Sequence, residues 1–243
     1  MTTGMKLSVI IPVYNERDTI QAILQQVVAV DLKGLGLEME LIVVDDGSRD
    51  GTREILRETA SAIPFVLHEA PVNRGKGADI RIGLELVTGD LVIIQDADLE
   101  VDPAEYPTLV APILDGRARV VYGTRFSRKV AGLPLIALWA NKFLTSLTNL
   151  LYGSRLTDME TCYKVFRREV IKAIRLTCLR FEFEPEVTAK LLRLGYTITE
   201  VPISFSPRSR AQGKKIRWRD GIQAIFTLVR CRVTPRASLL RPS

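Results

Sequence analysis

Five short apolar runs, each released into polar residues at its carboxyl end, restrict this chain more than any other feature. Leu7–Val13, Met39–Asp45, Phe65–Glu69, Leu91–Asp96 and Ala118–Gly123 are rich in Val and Ile and almost free of polar side chains until they end. Such runs suit strands covered by helices on both faces, where neither alternation is left to water. Between them the spacing predicts helices over Arg17–Val30, Thr52–Ala62, Gly77–Val87 and Pro103–Leu114. Strands alternating with helices predict an α/β fold built on a mostly parallel sheet.

The polar residues that close these runs gather at one edge of that sheet. Tyr14-Asn15-Glu16 follows the first strand, Asp45-Asp46-Gly47-Ser48 ends the second and Asp96-Ala97-Asp98 ends the fourth. Ligands of open α/β sheets bind beyond the carboxyl ends of the strands, so three clusters at three such ends predict one crevice.

Asp96 and Asp98 leave the strand at alternate positions and can face a single cation. Hard carboxylate oxygens suit Mg²⁺ or Mn²⁺ bridged to a diphosphate. A solvated acidic loop capping the next helix is the plainer alternative, but two acids at a buried strand end are costly without a partner. At Asp45-Asp46-Gly47-Ser48 one acid, Ser48 or Asp50 suffices for the turn and the helix cap, which leaves Asp46 to accept hydrogen bonds from a nucleobase or ribose. Asn73-Arg74-Gly75-Lys76-Gly77 sets two glycines and two cations at a helix start, a place that favours anions. Its spacing is neither a P-loop nor a dinucleotide fingerprint. His68, the single histidine, sits in a short strand away from the acids, which disfavours histidine-based mechanisms.

After Thr124 the pattern changes. Leu133–Tyr152 carries apolar residues at 136, 140, 143, 147 and 150, and 218–230 carries Trp218, Ile222, Ile225, Phe226 and Val229 on one side. Both stretches read as amphipathic helices, a further helix is expected near Glu186–Leu194 and a strand near Thr197–Val201. A core-facing stripe is the common explanation. Trp139, Tyr152 and Trp218, with Arg219 and Arg230 flanking, also suit a lipid interface.

Charge is uneven along the chain. The whole carries 34 basic and 28 acidic residues, yet from Arg208 onward ten basic residues face only Asp220. That segment asks for an anionic partner such as a diphosphate or a phospholipid surface, and no nucleic-acid motif accompanies it. Three cysteines without a C-x-x-C pair read as reduced thiols of a cytoplasmic protein. No run reaches the length of a membrane span, and no signal peptide is expected.

Ser8–Glu16, Val44–Thr52, Asn73–Ala78 and Gln95–Glu100 together resemble the successive signatures of family 2 glycosyltransferases. The resemblance continues through Gly123–Phe126, Leu156–Lys164, Val201–Phe205 and Gln212–Ile216. Within that family the chain is most similar to polyprenol-phosphate sugar synthases, the dolichol-phosphate mannosyl- and glucosyltransferases. The resemblance implies a GT-A type nucleotide-sugar transferase fold, with residues 1–125 as the nucleotide-sugar half and residues 126–243 as the acceptor half of one continuous domain. It implies that Pro12, Tyr14, Glu16, Asp46 and Ala97 hold the nucleotide. Asp96 and Asp98 would bind Mg²⁺ or Mn²⁺ with Glu100 as third ligand, and Arg125 would offset charge on the leaving diphosphate. Lys76, Asp158, Arg208 and Lys215 would meet donor or acceptor phosphates.

The expected reaction is metal-dependent, inverting transfer of a hexose from a nucleoside-diphosphate sugar, of the GDP-mannose or UDP-glucose type, to a polyprenyl phosphate. The protein would work in the cytoplasm, at the inner face of the membrane as a peripheral protein. The alternative is a hydroxyl acceptor, which would require a carboxylate base such as Asp158, Glu184 or Glu186.

Overall fold

The first strand, β1 (Met5–Val13), lies in the middle of the sheet between two parallel neighbours, β2 (Leu37–Asp45) and β4 (Leu91–Ile94). The structure, a computed structural model, describes residues 4–126, 134–208 and 218–242. Seven strands run in the order β3-β2-β1-β4-β6-β5-β7, where β3 is Val66–Glu69, β5 Val120–Thr124, β6 Lys164–Arg167 and β7 Thr199–Pro202. All six strands expected from the sequence form, within a few residues of their expected bounds.

Alternation along β1 explains the two cores. Leu7, Val9, Ile11 and Val13 pack on α1 (Ile20–Val28), α4 (Tyr106–Leu114) and Leu56 of α2 (Thr52–Thr59). Ile10, with Ile42 and Val44, faces α3 (Lys76–Leu86), α6 (Arg168–Ala173) and α7 (Phe183–Leu194) on the opposite side. Successive strand residues point to opposite faces, so a strand buried on both must be apolar throughout. Gly83 lets α3 lie close to the sheet, because a Cβ there would stand 2.5 Å from Cγ2 of Ile10.

The strand that the apolar pattern did not reveal is β6. Only Val165 and Phe166 are apolar within Lys164–Arg167, too short a run to stand out. It enters antiparallel between β4 and β5, pairing Ile93 with Val165 and Val121 with Val165. This reversal has a consequence for the site. A strand running the other way begins where its neighbours end, so the segment 156–163 arrives at the carboxyl edge of β4 and β5. The sheet therefore draws strands from both sides of residue 125.

Beyond the sheet, α5 (Leu135–Tyr152) and α8 (Trp218–Val233) pack on each other and on α7. Leu144, Met159, Leu228 and Cys231 form this third cluster. The expected core-facing stripes point the other way. Ile136 is 82% exposed, Trp139 70%, Leu150 81%, Trp218 73% and Phe226 60%, whereas Thr145, Thr148 and Thr227 are buried. Tyr152, expected among the interfacial aromatics, instead donates its hydroxyl to the Leu228 carbonyl at 2.6 Å and ties α5 to α8.

Candidate functional site

The three polar clusters meet, laced by hydrogen bonds across the crevice. The Asn15 backbone N–H donates to Ser48 Oγ at 2.9 Å, that of Glu16 to Thr52 Oγ1 at 3.0 Å and that of Arg17 to Asp50 at 3.2 Å. Asp50 also accepts from the Thr52 N–H at 3.1 Å, but the N-cap of α2 is Gly51, so the expected side-chain cap by Ser48 or Asp50 does not form. Asn15 and Leu99 both adopt positive φ, 49° and 60°, which asparagine tolerates and which is strained for leucine. Pro12 is buried at the end of β1, Tyr14 is half-buried just beyond it, and the Ala97 methyl is in the core, so only the backbone of Ala97 remains to face a ligand.

The D-x-D turn rests on Gln95, which opens the Gln95–Glu100 signature but carries no expected role. Gln95 is fully buried; its Oε1 accepts from the Tyr106 hydroxyl at 2.7 Å and the Tyr163 hydroxyl at 2.8 Å, while its Nε2 donates to the Asp96 carbonyl at 3.0 Å. Two tyrosines thereby fix the amide that fixes the turn. Asp96 pairs with Lys76 at 2.8 Å, and Lys76 pairs equally with Glu184 at 2.8 Å. Burial opposes the Lys76 charge, but Asp96 and Glu184 outweigh it and hold the ammonium well above the ordinary lysine range.

Arg208 closes the opposite side. Its guanidinium reaches Glu16 at 2.9 Å and Asp98 at 3.1 Å, and its backbone N–H donates to Glu100 at 2.7 Å. Burial, with the nearby charges of Asp96 and Glu100, pushes the Asp98 carboxyl up to about 7 even though Arg208 pulls against it. Lys215 lies outside the described residues.

Several expected roles change once the contacts are seen. Asp46 is not spare: its two oxygens accept the Arg74 and Gly75 backbone N–H groups, each at 2.6 Å. Asp45 serves its own turn, accepting from Gly47 and Ser48, and pairs with Arg53 at 2.6 Å. Arg125 and Asp158 form a buried bidentate pair, both bonds at 2.7 Å, with the guanidinium lying 5.0 Å from the Phe205 ring centroid. Asp158 thus positions Arg125 and is not available as a base. Glu186 holds the Thr177 and Cys178 N–H groups and Lys190, so it too is excluded.

One acid outside the expected set belongs to this neighbourhood. Glu160 reaches the crevice through the reversal of β6 and has a buried Oε1 without a hydrogen-bond partner. Burial and the Glu184 charge push it up to about 8, against the pull of Lys164 and Arg125. Lys164 itself is fully buried and falls to about 8, because burial outweighs Glu184 and Glu160.

The sequence model of glycosyl transferase family 2 matches residues 8–175 of this chain, a span that holds the D-x-D turn and most of the crevice. The chain belongs to glycosyl transferase family 2. The family 2 enzyme is similar to an undecaprenyl-phosphate 4-deoxy-4-formamido-L-arabinose transferase of Pseudomonas fluorescens (strain Pf0-1), 33% identical over 236 residues covering 96% of this chain and 67% of the relative. The protein of that name from Klebsiella pneumoniae is 32% identical over 97% of this chain and 70% of its own. Among solved structures, glucosyl-3-phosphoglycerate synthase from Mycobacterium tuberculosis, in complex with Mn²⁺, UDP and phosphoglyceric acid, superposes with a TM-score of 0.73. It is 23% identical, covering 96% of this chain and 80% of that one, and the likeness establishes the shared GT-A fold.

The donor set of this glycosyltransferase suits a divalent cation at Asp96 and Asp98. Two carboxylates crowded by a third acid, one of them holding its proton to about pH 7, are relieved by positive charge. Among the described residues no three acidic, histidine or cysteine side chains converge as a metal cage. Glu100, expected as third ligand, accepts the Arg208 N–H through one oxygen at 2.7 Å. A two-carboxylate site completed by diphosphate and water oxygens is the arrangement that hard cations such as Mg²⁺ adopt.

Proposed function

We propose that this glycosyltransferase moves a sugar from a nucleoside-diphosphate donor to a polyprenyl phosphate at a membrane surface. The observation that carries the acceptor class is the outward apolar stripe of α5 and α8. Trp139, Phe143, Trp218, Ile222, Phe226 and Val229 are all exposed, and Arg219 lies against the Trp218 ring at 5.6 Å. An apolar face flanked by arginines is suited to the headgroup boundary of an anionic bilayer. Among the described residues no helix is long and apolar enough to cross a membrane. The two bacterial relatives named above act on undecaprenyl phosphate by their names, which agrees with this acceptor. Three free thiols and no disulfide among the described residues are in keeping with the cytoplasmic face.

The carboxylates support the same reading. Of the three candidates for the one base that a hydroxyl acceptor would need, Asp158 is held by Arg125, Glu186 by backbone N–H groups and Lys190, and Glu184 by Lys76. A lipid phosphate oxygen is already anionic near neutral pH and attacks without a base. We assign Asp46, with Pro12 and Tyr14, to the nucleoside side, Asp96 and Asp98 to the metal and diphosphate, and Lys76, Arg125 and Arg208 to phosphate charge. A cation held there would offset the charge on the departing diphosphate. Arg208 bridges Glu16 and Asp98 and can exchange these carboxylates for phosphate oxygens, closing over the donor as it does so.

Glu160 keeps the hydroxyl-acceptor reading in play, because its Oε1 has no hydrogen-bond partner and burial with the Glu184 charge pushes its carboxyl up to about 8, in the range suited to a general base. Radiolabelled transfer from UDP- and GDP-sugars to a short-chain polyprenyl phosphate decides between them. Product with the lipid phosphate, retained in Glu160→Gln, supports the proposal; transfer only to hydroxyl acceptors, lost in Glu160→Gln, replaces it.

A further inference from the structure

One buried acid near the donor side is left without a role by the reaction described above. Asp79 stands in the first turns of α3, only 2% exposed, and its Oδ1 has no hydrogen-bond partner. Its carboxyl lies within hydrogen-bonding reach of the Asp46 carboxyl. Two carboxylates cannot hydrogen-bond unless one of them carries a proton. Burial and Asp45 push the Asp46 carboxyl up as well, but both its oxygens accept backbone N–H groups that favour the anion, and the Asp79 carboxyl, with an unpartnered oxygen, accepts none, so the proton belongs on Asp79.

The Asp46 acceptor is what shapes the loop ahead of α3. Gly75 is held at φ 102°, and a Cβ there would meet the Leu179 carbonyl oxygen at 2.6 Å, so the loop is pressed between Asp46 and the segment before α7. Lys76 follows directly and points to Asp96 and Glu184. We propose that Asp79 is a positioning residue: a neutral carboxylic acid that donates a hydrogen bond to Asp46 and so holds the Arg74–Gly75 backbone, and Lys76 with it, in the shape that receives the donor. This rests on the donor reading above and extends it to a residue beneath the site.

The surroundings agree. Burial and the charges of Asp46 and Asp45 push the Asp79 carboxyl up to about 9. The charged groups facing this cluster are Asp45 and Asp46 at the end of β2, Arg53 of α2 on Asp45, and Arg180 ahead of α7 acting on Asp46. β1 meets α3 through the Ile10 side chain against Gly83. The plain alternative is an ionised acid stabilised by the amino end of α3.

These two states of Asp79 make opposite predictions for Asp79→Asn. A group that keeps its proton in the folded protein, but loses it near its ordinary value when unfolded, makes the native state less stable as pH rises between about 4 and about 9. Asparagine does not titrate and can still donate to Asp46. Thermal melts of full-length wild type and Asp79→Asn should therefore show the variant melting higher, with a gap that widens from pH 5 to pH 8.5. A variant that melts lower across this range, as loss of a helix-end anion predicts, overturns the proposal.

Titration calorimetry with UDP and GDP supplies the functional arm. The bases themselves titrate near the top of this range, so variants are compared at equal pH. Wild-type affinity should fall more steeply than that of Asp79→Asn above about pH 8.5, and Asp79→Ala should bind roughly tenfold more weakly at pH 7. Equal affinity of Asp79→Ala and wild type at pH 7 refutes the positioning role. Wild type that binds neither diphosphate, while the melts behave as expected, defeats the donor reading and leaves the neutral acid standing.

Discussion

The crevice at the sheet edge and the α5–α8 pair show how differently one chain can spend its polar and apolar residues. In the crevice, acids and bases are buried and paired: Asp158 with Arg125, Glu184 and Asp96 with Lys76, Glu16 and Asp98 with Arg208. On α5 and α8 threonines are buried while tryptophan, phenylalanine and isoleucine face outward. Each inverts the usual preference, and each inversion is expensive unless something external completes it. Buried charge is tolerated where it will bind charge, and exposed apolar area where it will meet apolar area. The lesson is that departures from ordinary burial locate both ends of this enzyme, the polar donor side and the apolar side assigned to the acceptor.

The contrast can be broken most severely in the crevice. Asp98→Asn should lower turnover by a factor of about 10²–10³, since one preorganised electrostatic contact is worth that order. Circular dichroism should show an unchanged fold, and chelation of wild type should produce the same loss. Metal-independent turnover, or full activity in the variant, would remove the assigned role of the D-x-D turn. Next in size is Asp158→Ala, which strands a buried guanidinium and should cost about 3–5 kcal/mol in chemical denaturation. A loss below about 1 kcal/mol would mean that Arg125 finds water or another partner, and that the pair is less rigid than its two 2.7 Å bonds suggest.

The outer helices sharpen the comparison by being asymmetric. Leu228→Ala, inside the third cluster, should destabilise by about 2–5 kcal/mol. Phe226→Ser, two residues away and 60% exposed, should change stability by no more than about 0.5 kcal/mol, yet weaken flotation with anionic vesicles. Equal destabilisation by the two would mean that the stripe is covered in solution by protein and not reserved for lipid. The smallest effect belongs to the basic end. Replacing Arg230, Arg232 and Arg236 by Gln should cost about 1 kcal/mol of vesicle binding per charge and flatten its salt dependence, while sparing transfer to a water-soluble acceptor. Vesicle binding that ignores these charges would leave the apolar stripe as the whole of the membrane contact.

How much of this was legible in advance differs between the same two regions. Along β1, β2 and β4 the apolar runs are long and end sharply, so both the strands and the crevice at their carboxyl ends could be read directly, together with Asp46, Asp96 and Asp98. The partners of single side chains are another matter: spacing along the chain says nothing about which distant group claims an oxygen, so the Arg74 and Gly75 N–H groups on Asp46 and the Arg125 guanidinium on Asp158 come only from the fold. Gln95 was passed over for the same reason: its importance lies in Tyr106 and Tyr163, the second of them 68 residues away.

The layered α/β architecture follows from the order of residues alone, since apolar periodicity and strand-end polarity are local properties that any folded arrangement must satisfy. That order also determined that α5 and α8 would be amphipathic. Which way their apolar faces turn was decided by tertiary structure alone. The helices pack through Leu144, Leu228 and Cys231, lock through Tyr152 and α7, and leave the richer stripe outside. Likewise only the sheet order decided that 156–163 would reach the site, because four residues of β6 pair antiparallel with strands far away in the chain. Periodicity records how a side chain stands relative to its own neighbours. What it faces depends on partners brought together by folding, and that information is not local.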